Sequence, residues 1–276
     1  MRQSWKVPFV AKKCEKHLET LAAAKLIQEM KTHEGRCWSG YFAVPKDRTR
    51  SRAIFNGKRL SEACPRPPPV NLLTPNALIR RLSDHTRACR GCWVVEGDFR
   101  HWFHQVPVSL ALSKCFGVRT KEGKAYRWRG LPMGWSWSPA VAQALAWSFL
   151  IGRHEQQESL FDTSAFERHD RMPFWIPTRK ERGFATVYYD NFLVVVETEN
   201  RAREVERRLR QNCRDMGIEI KGDIKIHNMM EKKMDENGIP IKKVLDFLGM
   251  RLHLNQYDLC VSPSRLGEWK GSATPT

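Results

Sequence analysis

Two apolar runs, Phe184-Ala185-Thr186-Val187 and Phe192-Leu193-Val194-Val195-Val196, flank the short stretch Tyr188-Tyr189-Asp190-Asn191. β-branched side chains crowd a helix and suit a pleated sheet, and a run apolar on both faces belongs to a buried strand. The segment is therefore expected to be a β-hairpin with the polar pair Asp190-Asn191 at its tip. Asp and Asn tolerate the positive φ that tight turns demand, so turn chemistry alone accounts for the pair. Asp190 gains chemical interest only if a second carboxylate stands beside it.

The rest of the chain supplies that carboxylate. Residues 12–32 carry Leu18, Leu21, Leu26, Ile27 and Met30 at near-helical spacing, which predicts an amphipathic helix. Residues 38–44 and 53–55 read as strands joined by the basic turn Lys46-Asp47-Arg48-Thr49-Arg50-Ser51-Arg52, a hairpin with a cationic tip. Four prolines in 65–70 make a stiff linker, and a helix capped by Thr74 or Asn76 follows over 76–84. Trp93-Val94-Val95-Glu96-Gly97-Asp98 is a buried strand ending on an acid. Beyond it we expect a helix over 103–112, a strand pair at 115–118 and 125–128, and a helix over 138–150 with Ser138 as N-cap and Pro139 at its first position. Residues 153–182 are polar and proline-punctuated, an expected exposed loop. A charged helix over 198–216 ends at Gly217, and 218–220 alternates like an edge strand. A Lys- and Met-rich hairpin over 223–243 turns at Asn237-Gly238, and a strand covers 244–254. Strand, helix, strand, strand, helix, strand is the order of a split βαβ antiparallel sheet with helices on one face, an α+β class. In that topology the acid ending the first strand meets the turn of the central hairpin. Asp98 and Asp190 then lie side by side.

Two adjacent carboxylates repel unless one stays protonated or a cation neutralises them. The formal net charge of +17 suggests the same polyanionic partners that such a cation would help bind: nucleic acid, or an anionic membrane surface. Paired Asp in so basic a chain suggests Mg²⁺ (or Mn²⁺), two ions, acting on phosphates. With 276 residues, 41% of them hydrophobic, there is material for one large domain or two subdomains. No run is apolar enough to cross a bilayer and the basic start lacks a signal-peptide core, so we expect an intracellular protein, cytoplasmic or nuclear, not secreted and without a membrane partner. The eight cysteines show no framework, and Cys89-Arg90-Gly91-Cys92 has no second pair at zinc spacing, so reduced thiols are expected.

Taken together, the motifs resemble the fingers and palm of reverse transcriptases, nearest to retroviral, LTR-type or related eukaryotic retrotransposon enzymes. Asp98-Phe99-Arg100-His101-Trp102-Phe103 resembles the first palm motif, an acid followed five residues later by an aromatic. Leu131-Pro132-Met133-Gly134-Trp135-Ser136-Trp137-Ser138-Pro139-Ala140 with Gln143 resembles the second almost residue for residue, and it is the most specific match. Tyr188-Tyr189-Asp190-Asn191 stands where the family has Tyr-x-Asp-Asp, and Phe247-Leu248-Gly249 resembles the hairpin that grips the primer end. The resemblance spans about 38–254 and implies a fingers-like subdomain over 1–90 and a palm over 91–260. Fingers residues would interleave around 112–150, and 261–276 would be a frayed tail.

The resemblance also implies roles. Asp98 and Asp190 would hold two metals, with the Phe99 carbonyl as a further ligand. Phe103 would block a 2′-hydroxyl, and Lys46 and Arg52 would grip the triphosphate. Met133 and Gly134 would face the incoming nucleotide. Trp135, Gln143, Tyr188, Phe247, Leu248 and Gly249 would touch template or primer, and Lys225 (or Lys221) would protonate departing pyrophosphate. Met133 stands where retroviruses often have Gln. Asn191 replaces the family's second acid, and an amide is neutral and a poorer ligand. The motifs stop soon after Leu254, so a thumb is expected to be absent, and a thumb or RNase H would come from another element-encoded polypeptide. The implied function is RNA-directed DNA polymerisation with dNTPs on a template–primer. The alternatives are a catalytically impaired retroelement-derived nucleic-acid-binding relic of the same fold, or a basic RNA-binding domain that presents aromatics on a four-stranded sheet.

Overall fold

A computed structural model describes residues 9–45, 51–152, 159–167, 172–231, 244–247, 250–253 and 258–261. Helix α1 (Glu15–Ala23) buries Leu18 and Leu21; the chain then turns at Lys25, whose φ of 57° is left-handed, into strand β1 (Ile27–Glu29). The helix expected over 12–32 is thus two elements, because a left-handed residue reverses the chain before the periodicity can continue. Strands β2 (Gly40–Pro45) and β3 (Ser51–Asn56) make the expected hairpin, whose tip at 46–50, including Lys46, lies outside the described residues. Helix α2 (Lys58–Ala63) precedes the proline-rich stretch. In α3 (Pro75–Ala88), Thr74 accepts a hydrogen bond from the Ala77 N–H and Pro75 occupies the first turn, where a missing N–H costs nothing.

Strand β4 (Trp93–Asp98) ends on the acid. The single helix expected over 103–112 is broken into α4 (Trp102–Gln105) and α5 (Leu110–Ser113), since Pro107 between them cannot carry a helical hydrogen bond. Next come β5 (Gly117–Arg119), β6 (Ala125–Trp128), α6 (Ser138–Ile151), α7 (Ser164–Glu167) and β7 (Ile176–Pro177). They are followed by β8 (Phe184–Tyr188), β9 (Asn191–Val196), α8 (Glu199–Met216) and β10 (Lys225–Asn228). The last described elements are β11 (Val244–Phe247), β12 (Met250–His253) and β13 (Asp258–Val261).

The chain divides into two compact units. The first comprises Met1–Pro69 and His101–Ala142. It contains the antiparallel sheet β1-β6-β5 and the β2–β3 hairpin. Its core is aromatic: Phe55 meets Phe116 edge-on at 5.7 Å, and Phe116 meets Trp135 at 5.1 Å.

The second unit, Val70–Arg100 and Gln143–Thr276, is built on an antiparallel sheet in the order β10-β4-β9-β8-β7. Leu193 and Val195 of β9, Val94 of β4 and Phe184 of β8 pack with Leu78 and Leu82 of α3 on one face. By strand alternation, Phe192, Val194 and Val196 point to the other face. There Phe149 of α6 meets the Phe192 ring at 6.0 Å, and Asn212 of α8 donates to the Phe149 carbonyl at 2.7 Å. Residues on both faces of β9 are buried, which is why its sequence is continuously apolar.

Two expectations in this unit are corrected, and a third falls mostly outside the described residues. The segment 153–182 is not simply an exposed loop: Leu160, Phe161 and Ile176 are buried, and β7 adds an edge strand to the sheet. Strand β10 pairs with β4, and the expected turn at Asn237-Gly238 lies outside the described residues. The strand expected over 244–254 is two, with Phe247 paired with Met250, in the separate sheet β11-β12-β13.

Candidate active site

Tyr188 pairs with Asn191 across the β8–β9 hairpin, so Tyr189 and Asp190 form its turn. The left-handed residue is Tyr189, with φ 53°, and not the Asp or Asn that turn chemistry pointed to. An aromatic in that conformation costs about 1–2 kcal/mol and persists only where its surroundings hold it. Gln143, fully buried on α6, holds it: Oε1 accepts from the Tyr189 N–H at 2.8 Å and Nε2 donates to the Val187 carbonyl at 2.9 Å. The residue expected to touch template is, in this fold, a clamp on the acidic turn.

Strand β4 runs antiparallel to β9 with Asp98 opposite Asn191, and the Phe99 N–H donates to the Asp190 carbonyl at 2.7 Å. Asp98 and Asp190 therefore occupy neighbouring positions at one end of the sheet. Burial pushes the Asp190 carboxyl above its ordinary value, and the negative charge of Asp98 adds to the push. The Asn191 side-chain amide opposes it by donating to Asp190 Oδ1 at 3.0 Å, as does the charge of Lys221. The Phe99 ring is buried against Phe149 at 4.7 Å and Phe192 at 5.4 Å, an anchor that leaves only its backbone to serve the site.

Of the two lysines weighed for this site, Lys221 is the one beside Asp98. Its Nζ lies 2.7 Å from Asp98 Oδ2. Lys225 sits further along the edge strand, 3.9 Å from Glu96. Asp98 and Lys221 stand 123 positions apart in sequence, and no local signal pairs them.

Among the described residues, no group of three or more His, Cys, Asp or Glu is arranged to hold a metal ion. The two carboxylates nevertheless suit a hard divalent cation of the Mg²⁺ kind, which takes one or two carboxylates and fills its shell with carbonyl, water and phosphate oxygens. The raised Asp190 and the ammonium on Asp98 mark a place where added positive charge is favourable. Cys14, Cys37, Cys64, Cys89, Cys92, Cys115 and Cys213 are free, and burial pushes the Cys92 thiol up to about 12, far from a metal-ready thiolate.

The first unit carries the remaining expected residues. Gly134 has φ 114°, and a Cβ there would lie 1.9 Å from the Phe55 carbonyl oxygen. Only glycine fits, and the cause is the end of β3. The Phe55 N–H donates to the Met133 carbonyl at 3.0 Å, tying this loop to the strand that displays exposed Arg52. Trp135 is buried against Phe116, while Phe103 is half-buried on α4. Ser61 and Pro65, which the motif reading missed, hold the loop: Ser61 Oγ accepts from the Ser136 N–H at 3.0 Å and the Pro65 carbonyl from Trp137 Nε1 at 2.7 Å, while inside the motif Ser138 Oγ donates to the Pro132 carbonyl at 2.7 Å. Leu248 and Gly249 lie outside the described residues, while Phe247 ends β11.

The profile of the reverse transcriptase (RNA-dependent DNA polymerase) family matches residues 44–252. The chain belongs to the reverse transcriptase family. No curated protein matches it in sequence. Among solved structures it is similar to a foamy viral protease–reverse transcriptase (dRH) in complex with double-stranded DNA, with TM-score 0.61, 13% identity, and coverage of 98% of this chain and 39% of that one. It is also similar to the foamy viral protease–reverse transcriptase with double-stranded DNA (TM-score 0.57, 14% identity, 99% and 46% covered). The same foamy viral enzyme with an RNA/DNA hybrid gives a TM-score of 0.59 at 13% identity, with 98% and 30% covered. The chain thus spans less than half the length of these proteins, and it shares their reverse-transcriptase palm-and-fingers fold. Among the described residues, no helix is long and apolar enough to cross a membrane.

Proposed function

We propose that this chain is the fingers-and-palm part of an RNA-directed DNA polymerase that extends a primer with dNTPs, the second unit serving as palm and the first as fingers. The observation that carries this reading is the pairing of Asp98 with the Asp190 turn across β4 and β9, held by the Phe99-to-Asp190 backbone hydrogen bond of 2.7 Å. A pair of Mg²⁺ or Mn²⁺ ions bound there would stabilise the charge that develops on the attacking and leaving oxygens. Asp98, Asp190 and the Phe99 carbonyl are the ligands we assign, and Gln143 keeps Asp190 aimed by clamping the turn. Lys221, in place of Lys225, is the group we assign to give a proton to pyrophosphate. Phe103 would exclude a 2′-hydroxyl, and Lys46 and Arg52 would bind the triphosphate, Arg through its planar fork of donors. Met133 and Gly134 would meet the nucleotide, and Trp135, Tyr188, Phe247, Leu248 and Gly249 the template–primer; the foamy viral proteins were solved with double-stranded DNA or an RNA/DNA hybrid.

Asn191 favours a second reading, a nucleic-acid-binding relative with weakened catalysis. It contributes no charge, and its amide engages an Asp190 oxygen at 3.0 Å. Primer extension on an RNA template with Mg²⁺ or Mn²⁺ separates the two. The polymerase reading expects incorporation that Asp98→Ala and Asp190→Ala each abolish; incorporation no greater than in those variants, with template–primer still bound, leaves the second reading.

A further inference from the structure

We infer that Lys221 is a resident counter-ion of Asp98, and that a divalent cation reaches this carboxylate only by exchanging with the lysine. The inference rests on the assignment of Asp98 as a metal ligand and concerns how that site is loaded. The ammonium lies 2.7 Å from Asp98 Oδ2, a charge-assisted contact. The chain around it is held in register: Lys221 N–H donates to the Asp98 carbonyl at 2.7 Å, Arg100 N–H to the Glu219 carbonyl at 2.9 Å, and Phe99 bridges Ile220. Backbone drift therefore cannot withdraw the lysine; rotation of its side chain can. Its side chain is 64% exposed and has water to rotate into, whereas that of Asp98 is 30% exposed. Arg100, the next cation on the segment, is turned to Glu219 at 3.5 Å.

Lys221 holds one oxygen of this carboxylate, and a cation on either oxygen would lie within a few ångströms of the ammonium, where two positive charges repel. Binding of the ion and departure of the lysine are thus one exchange. In the empty site the ammonium offsets part of the repulsion between Asp98 and Asp190. Once displaced, it is free beside the site, so the group assigned to the leaving phosphate becomes available only when the metal has arrived. Loading and proton supply are coupled through a single side chain.

Two measurements on the full chain test this. In the first, Mn²⁺ binding is followed by electron paramagnetic resonance for the parent protein and for Lys221→Met, Lys225→Met and Asp98→Asn. Lys221→Met and Lys225→Met remove the same charge, but only the first uncovers Asp98. We expect Lys221→Met to bind Mn²⁺ about fivefold more tightly, the upper range for losing a partly exposed ion pair, and Lys225→Met to stay within about twofold of the parent. Equal tightening in both lysine variants, or none in either, overturns the exchange while leaving Asp98 a ligand. Binding that Asp98→Asn does not weaken overturns the metal assignment and the exchange with it. The second measurement needs no variant: lysine acetylation read by peptide mass spectrometry, with and without Mg²⁺. Labelling of Lys221 should rise severalfold on Mg²⁺ addition while that of Lys225 stays level, and unchanged Lys221 labelling sinks the exchange.

Discussion

Gln143 makes two hydrogen bonds from a fully buried position, and both end on the turn that carries Asp190. Gln143→Leu keeps the volume and orphans the Tyr189 N–H and the Val187 carbonyl, each costing about 1–3 kcal/mol if left unpaired. Urea unfolding should show a loss of about 2–4 kcal/mol. Asn191→Asp adds a third acid at a place where burial and Asp98 already disfavour charge on Asp190. Its urea midpoint should fall in the presence of chelator and recover with Mn²⁺, whereas a midpoint insensitive to both means that position 191 does not face the acidic pair. His104 gives the pH signature. It stacks on Trp128 at 5.3 Å with a buried Nδ1 lacking a partner, and burial, with a smaller push from His101, lowers its pKa to about 4. Since the unfolded chain binds this proton near 6.5 and the folded chain only near 4, stability falls as pH drops through that window, by up to about 3 kcal/mol. His104→Phe keeps the stack and should flatten the acid limb of the stability–pH curve.

At the scale of elements, the loop before α6 and the turn after β1 show how much short-range pattern conveys. Gly134 was marked by its motif, but its reason is the Phe55 carbonyl, 1.9 Å from where a Cβ would sit. Gly123 also has positive φ, 92°, with nothing within 4 Å of its would-be Cβ. Gly123→Ala should therefore cost only the backbone penalty, about 1–2 kcal/mol, and Gly134→Ala distinctly more, compared by thermal or urea unfolding. Most helices and strands were legible because period and caps are local: Thr74 before α3 and Thr198 before α8 accept hydrogen bonds just where an N-cap should. One misread element, β1, failed for a physical reason. A short apolar run satisfies both helical and strand spacing, and only its pairing with β6, about 100 residues away, selects the strand.

For the whole molecule, a net charge of +17 predicts salt-dependent binding to nucleic acid, but the charge is not evenly available. Along α8, Arg203 pairs with Glu199, Arg208 with Glu204 and Arg210 with Glu206, so these arginines are largely neutralised in place. The logarithm of affinity for template–primer should fall linearly with the logarithm of salt concentration. Arg52→Ala should reduce that slope by about 1 and Arg203→Ala should leave it unchanged, as fluorescence anisotropy would show. By itself, the sequence determined the order of motifs, the buried hairpin, the acid ending β4 and the α+β class, because side-chain period and turn chemistry are written within a few residues. Only the tertiary structure decided that Lys221 meets Asp98, that Gln143 serves the turn from within the core, and that Tyr189 bears the left-handed bend. Each of those depends on the register between distant segments, set by how whole strands and helices bury their faces, which no local pattern encodes.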